Sequence, residues 1–371
     1  MTDINTARRH ITELLQSRPL VAVCTGATGG LGRFTLEALA MHHGKIGKGL
    51  RVYVVGRNLE SANVLFAKLR KSCPDGDFRF VQVSDLALIS EIDQACDEIT
   101  QSETAASGGH KPRIDMLFMS QGTLDFKPWT GTKEGLEWHM SLLYFSRMKT
   151  ILNLMPLLLN APAAAHVVSV FAGGMEGETF NPDDLMVRKP GRFGVTSTRH
   201  HVVYMKTLFF EYLAREHPGK ISLVHVFPGL VLTDGLRFLP KWMQLTYYVF
   251  YPLLKVMTTP GPEVGERFLF LTSPVRFPAS HESDDHQGSE DVGATFPHTG
   301  KQSGTKLAIA MGTDLEIGSG AYAVSITGEA ADAKKMHRAY DKYDKDELRR
   351  KIVTYTLRAF EEIKAGRVFE D

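Results

Sequence analysis

The residues best suited to chemistry stand near the start of the chain, in the run TGATGGLG from Thr25 to Gly32. Glycines at this spacing, between an apolar run and a helical stretch, make a cradle for a pyrophosphate. Gly26 permits a tight turn, Gly30 lets the backbone approach the phosphates, and Gly32 lets helix and strand pack closely. Thr28 and Leu31 belong to the same cradle. The helix that follows offers free N–H groups and the positive end of its dipole to an anion. Some 25 residues later the chain reads VVGRN, with Gly56 followed by Arg57 and no carboxylate. A carboxylate there would hold the ribose hydroxyls of NAD, whereas an arginine fork suits the 2′-phosphate of NADP. The pair of signals predicts an NADP site.

At this point the chain resembles the short-chain dehydrogenase/reductases, over roughly residues 20–328. Thr25, Gly26, Gly30 and Gly32 meet the family's TGxxxGxG pattern. Asp85 with Leu86 matches the Asp-hydrophobic pair that holds the adenine. Ser120, Gln121 and Gly122 stand where the family has Asn-Ala-Gly, and Gly122 is taken as cofactor-binding. PGLVLT, from Pro228 to Thr233, matches PGxVxT, which would set Val231 and Thr233 against the nicotinamide carboxamide. The phrases MSQG, HVVSVFAGG and HPGKISLVHVFPGLV are closest to fungal secondary-metabolism reductases. The resemblance implies a Rossmann-like fold and an oxidoreductase acting on a carbonyl or alcohol of a bulky apolar metabolite.

The family's proton-handling residues are not matched. Leu143 falls at the usual Asn and Ala172 at the usual Ser. There is no YxxxK: one register pairs Val202 with Lys206, the other Arg199 with Val203. A hydride moves only if some group manages the proton, and Lys206, Tyr204 and Ser169 are the candidate catalytic residues, with His201, Tyr144 and Ser146 behind them. Tyr204 and Lys206 are two positions apart and so on different helix faces. Lys206 is either a snorkelling surface residue or a buried ligand of the cofactor ribose. The competing function is a protein of the same fold that does no net redox chemistry: an isomerase, a cyclase or a cofactor-binding partner.

These residues need a scaffold, and the pattern supplies one. Strand-like runs at Leu20–Thr25, Leu50–Val55, Phe78–Val83, Met116–Ser120, His166–Phe171 and Ser222–Phe227 are interspersed with helical stretches. These lie near 31–43, 59–71, 135–158 and 199–216. Such alternation predicts an α/β fold, a doubly wound parallel sheet covered on both faces. A last strand is expected at Ala321–Ile326. The parts are an N-terminal helical segment (1–19, with Ile11, Leu14 and Leu15 on one face), a core domain (20–328) and a charged helical extension (329–371). The core domain includes an aromatic-rich segment near 236–258, in the place of the family's substrate lid, and a polar, mobile insertion near 275–317. The rival reading lays 236–258 on a membrane surface.

Composition narrows the rest. The 371 residues are 43% hydrophobic and 23% charged with a formal net charge of +1, which gives no global attraction to nucleic acid. Cys24, Cys73 and Cys96 lack CxxC spacing, pointing to a reducing compartment. His281, His286 and His298 fit no compact metal site, so no metal is expected. With no signal peptide and no apolar run long enough to span a bilayer, the expectation is a cytoplasmic protein with a small apolar substrate. Self-association is left open.

Overall fold

The computed structural model describes residues 2–123, 128–231, 258–280 and 307–370. Seven strands form one sheet: β1 (Leu20–Thr25), β2 (Leu50–Gly56), β3 (Asp77–Gln82), β4 (Met116–Met119), β5 (Ala165–Val170), β6 (Ile221–Phe227) and β7 (Ala321–Ser325). Their order is β3-β2-β1-β4-β5-β6-β7 and every pairing is parallel. From β1 the chain builds outward on one side to β3, then returns to place β4 on the other side of β1. That reversal opens a crevice at the carboxyl ends of β1 and β4, where doubly wound sheets bind ligands.

The strands read as nearly continuous apolar runs because both faces are covered. Ala22 and Cys24 pack toward α1 (Ile4–Ser17), α2 (Gly30–Ile46) and α3 (Leu59–Ser72), while Val21 and Val23 pack toward the opposite face. That opposite face is covered by α4 (Ile89–Ala106). It is followed by a short turn α5 (Trp138–Met140), a π-helical segment (Ser141–Phe145), α6 (Ser146–Leu158) and α7 (Val195–Glu216). A further helix, α8 (Gly261–Phe270), joins the first face.

Three elements depart from expectation. Helix α4 was not anticipated, although its buried Ile89, Ile92, Ala95, Cys96 and Ile99 follow helical spacing. The stretch read as one amphipathic helix over 135–158 is broken by the π turn, and Ser146 to Ile151 are buried on every side. In the N-terminal helix Ile11 and Leu15 are buried with Ala7, while Leu14 is half-buried.

The C-terminal extension forms α9 (Ala333–Tyr340) and α10 (Lys345–Lys364), and α10 lays Leu348, Ile352, Val353 and Phe360 on the α7 side of the core. The flanks of the polar insertion are packed. Phe277 lies fully buried between Phe270 and Tyr322, and the Ala310 amide donates to the Arg276 carbonyl at 2.8 Å. Residues 281–306 of the insertion, with His281, His286 and His298, lie outside the described residues, as does the aromatic segment to residue 257.

Candidate cofactor and catalytic site

The glycine loop leaves β1 with Gly26 at φ 69°, its amide bonded to the Val55 carbonyl at 3.1 Å. A Cβ on Gly26 would stand 2.5 Å from the Gln121 Cα, so backbone fills the space a side chain would need. Gly32 is equally constrained, since a Cβ there would lie 2.7 Å from the Ala27 Cα. Helix α2 starts at Gly30 after an N-cap, Gly29, that makes no side-chain capping bond. The first amides of a helix lack partners within it, so Gly30, Leu31 and Gly32 present donors at the crevice. Thr28 is half-buried beside Gly56. The loop is tied to β4 by Thr25 Oγ1 and Gln121 Oε1, 2.5 Å apart, and by Ser120 Oγ donating to the Thr25 carbonyl.

Arg57 follows β2 and is exposed, and its guanidinium makes no bond or ion pair among the described residues. Its carbonyl accepts from Gln82 Nε2 at 3.2 Å, which fixes the backbone and leaves the fork free. Asp85 is half-buried and held at both oxygens, accepting from the Ala87 amide and from Trp138 Nε1, each at 2.9 Å. Gly122 is exposed beside Leu143, whose Cδ2 would lie 3.5 Å from a Cβ on that glycine. The position of the family's Asn therefore offers apolar surface. Val231 is half-buried, and Thr233 lies outside the described residues. Glycines, helix terminus and free arginine together form a cradle that fits a dinucleotide carrying a 2′-phosphate.

The three catalytic candidates do not converge. Ser169 on β5 and Lys206 on α7 are both fully buried on the α6–α7 side of the sheet. This settles one alternative for Lys206: it is not a snorkelling surface residue. Tyr204 belongs elsewhere. It stacks on Phe180 with ring centroids 4.3 Å apart, and its hydroxyl donates to the Ala339 carbonyl of α9 at 2.9 Å. Desolvation raises the pKa of this phenol, which makes it a packed core residue. Tyr144 bonds Thr356 at 2.8 Å and Ser146 donates back to the Leu142 carbonyl. His201 is held by the Ser197 carbonyl and the Asn181 amide. The adjacent acids diverge too, Asp183 pairing with Lys351 at 2.6 Å and Asp184 accepting from the Arg188 amide at 2.7 Å.

What surrounds Ser169 and Lys206 was not foreseen. Arg147 of α6 is fully buried and donates to Ser169 Oγ and the Val170 carbonyl, each at 2.8 Å, and to the Gln121 carbonyl. It staples the carboxyl end of β4 to that of β5. Burial pushes its pKa down to about 9, so it stays charged at neutral pH. His225 of β6 lies in register with Ser169 on the neighbouring strand. Its Nε2 lies 3.2 Å from the Ala172 amide and accepts from it, which places the ring proton on Nδ1. Lys206 makes no hydrogen bond among the described residues, and its Nζ sits 5.4 Å from the centroid of the Phe171 ring. Burial, and then the Arg147 charge, hold the lysine well below its ordinary pKa, while burial, Lys206 and Arg147 do the same to His225. The signals were available: an arginine inside HMSLLYFSRMK and a histidine centred in SLVHVF are polar interruptions of buried runs.

A parallel sheet wound in both directions from β1, with a glycine cradle at its switch point, defines a dinucleotide-binding α/β protein. No protein-family model matches the chain. Relatives do match over nearly its whole length. The short-chain dehydrogenase/reductase SAT2 of Stachybotrys chartarum is 32% identical over 365 residues, covering 98% of both chains. The oxidoreductase andH of Emericella variicolor is 31% identical over 363 residues, covering 96% of both. The chain belongs to the short-chain dehydrogenase/reductase family. The fold is also that of L-sorbose reductase from Gluconobacter frateurii, solved with NADPH and L-sorbose, at a TM-score of 0.50 and 18% identity over 70% of this chain and 91% of that one. Among the described residues no helix is long and apolar enough to cross a membrane.

Proposed function

We propose that the protein is an NADP-dependent oxidoreductase acting on a carbonyl or alcohol of a bulky, apolar metabolite, in secondary-metabolite biosynthesis in the cytoplasm. The observation that carries this reading is the Thr25–Gly32 cradle with an exposed Arg57, unpaired among the described residues, at the end of β2. In this reading Gly26, Thr28, Gly30, Leu31 and Gly32 bind the pyrophosphate, and Arg57 takes the 2′-phosphate. Asp85 and Gly122 border the adenosine half, while Val231 and Thr233 orient the carboxamide. NADPH when bound supplies the hydride.

Proton handling falls to this chain's own groups. Ser169 is occupied by Arg147 and Tyr204 by Ala339. Lys206, whose pKa burial lowers, has no hydrogen-bond partner among the described residues, so it is the candidate proton carrier. The fungal relatives' names, as oxidoreductases, agree with the reading. One observation favours the second reading, a fold-retaining isomerase, cyclase or cofactor-binding partner: no tyrosine accompanies Lys206, since Tyr204 is committed to α9.

Titration of cofactor fluorescence tests the proposal. NADPH is expected to bind more tightly than NADH, and Arg57→Asp to weaken NADPH at least about tenfold while changing NADH little, as loss of a charge-assisted phosphate contact requires. Equal weakening of both, or no binding of either by the wild-type chain, would overturn it.

A further inference from the structure

Four nitrogens in the basic core have no hydrogen-bond partner among the described residues: Lys206 Nζ, His225 Nδ1, Gln121 Nε2 and Arg147 Nε. All four belong to residues at most 3% exposed. Every one of them is a donor or can become one, and no carboxylate among the described residues faces them. Buried polar groups in native proteins are almost always satisfied, so a set of orphan donors of one sign asks for an acceptor from outside the chain. Its location agrees, at the carboxyl ends of β4, β5 and β6.

A cleft of about 290 Å³ opens at the carboxyl ends of β6 and β7, lined by Gly173, Met175, Phe227, Glu329, Ala330 and Ala331 among others. Alternate residues of a strand share a face, so Phe227 stands one side chain beyond His225 on β6. Phe171, whose ring lies against Lys206 Nζ, continues the line of Ser169 from β5, its amide bonded to the Val226 carbonyl at 2.9 Å. Exposed Phe227 thus joins the cleft to the His225 line of β6, and half-buried Phe171 lies against Lys206. Two glycines keep the cleft shallow-walled: a Cβ on Gly174 would lie 2.5 Å from the Ala331 Cβ, and one on Gly173 would enter the His225 carbonyl.

We propose that this is the acid end of the substrate site, and that the substrate is an apolar molecule bearing a single carboxylate, its body in the Phe227–Ala331 cleft and its charge on Lys206 and His225. One charge fits. Arg147 spends its fork on carbonyls and Ser169, so Lys206 is the group that gains a proton and pairs with the anion. Burial, and then the Arg147 charge from α6, disfavour its ammonium form until an anion arrives, and the His225 ring of β6 is its other titratable neighbour. Binding therefore raises the proton occupancy of Lys206 and tightens as pH falls.

The inference rests on reading this face as the substrate side of the enzyme, yet its test needs no turnover. Hexanoate and hexanol share a chain length and differ in charge. Calorimetry on the full chain should show hexanoate binding at least tenfold tighter than hexanol and than formate at equal ionic strength. Proton uptake should appear as a heat that changes with the buffer. Lys206→Met should reduce hexanoate affinity at least tenfold without unfolding the protein. His225→Gln, with a smaller loss, carries the test if that variant fails to fold. Equal binding of hexanoate and hexanol, or unchanged hexanoate affinity in the folded Lys206→Met variant, would overturn the inference. NADPH titration reports separately on the oxidoreductase reading: cofactor binding without hexanoate binding sinks the acid end alone, and hexanoate binding without cofactor binding supports the acid end while sinking that reading.

Discussion

The two halves of the crevice are built on opposite principles. On the β1–β2 side the surface is backbone: glycines, a helix terminus and amides, with Arg57 exposed at the end of β2. On the β4–β6 side they are made by long side chains from α6, α7 and β6, meeting deep in an apolar interior. Backbone contacts impose a local sequence requirement, since only glycine fits where a Cβ would strike the Gln121 Cα. Side-chain contacts impose none of that kind. Arg147, Lys206 and His225 come together through tertiary packing across 78 positions of sequence from first to last. The first half carries the glycine pattern, and the second half is built on Arg147, Lys206 and His225.

The contrast breaks most visibly at Gly26. A Gly26→Val change forces a branched residue to φ 69° and into the β4 backbone. It should cost about 3 kcal/mol or more and abolish NADPH binding, read by urea denaturation and cofactor titration. A stable, cofactor-competent variant would show that the loop relaxes and is no rigid cradle.

The basic core should respond in the opposite direction. Lys206 is a buried amine without a partner, and Lys206→Met keeps its shape while removing the polar group. We expect a gain of about 1–3 kcal/mol together with loss of any turnover, a trade of activity for stability. The pH dependence sharpens this. The folded-state pKa of Lys206 is depressed, so between that value and the unfolded lysine value the unfolded chain binds one more proton. Wild-type stability should therefore rise with pH across that window by about 1.4 kcal/mol per unit relative to Lys206→Met. Denaturation curves for both proteins across neutral to alkaline pH give the difference, and parallel profiles would mean the lysine is charged when folded.

The smallest effect belongs to Tyr204. Tyr204→Phe loses the bond to the Ala339 carbonyl and should cost about 1 kcal/mol in thermal or chemical unfolding. NADPH affinity should not change. A drop in cofactor affinity would return the tyrosine to the site and blur the division between the two halves.

The legibility of the chain follows the same division. The seven strands were found within a residue or two because buried parallel strands are short apolar runs bounded by turns. Helix α4 was missed because its polar residues, Asp93, Gln94, Asp97 and Glu98, obscure a period that its isoleucines keep. In the site, glycine spacing disclosed the cradle. The placement of Tyr204 was half-read, as a residue on a face other than that of Lys206, while its partner Ala339 lies 135 positions away. The burial of Lys206 depends on Phe171 and its neighbours and leaves no local mark in VVYMKTLFF.

The way α10 covers α7 bears on the order of events during synthesis. Helix α7 is complete at residue 216, yet the partners of its outer face include Ala339, Tyr340 and helix α10. A chain emerging from the ribosome would carry that greasy surface uncovered for well over a hundred residues. The sheet waits as well, since β7 pairs with β6 only after residue 321 has appeared. Early parts of the fold are thus held open by late ones, a vectorial debt that exposes the nascent protein to aggregation and gives chaperones their opportunity.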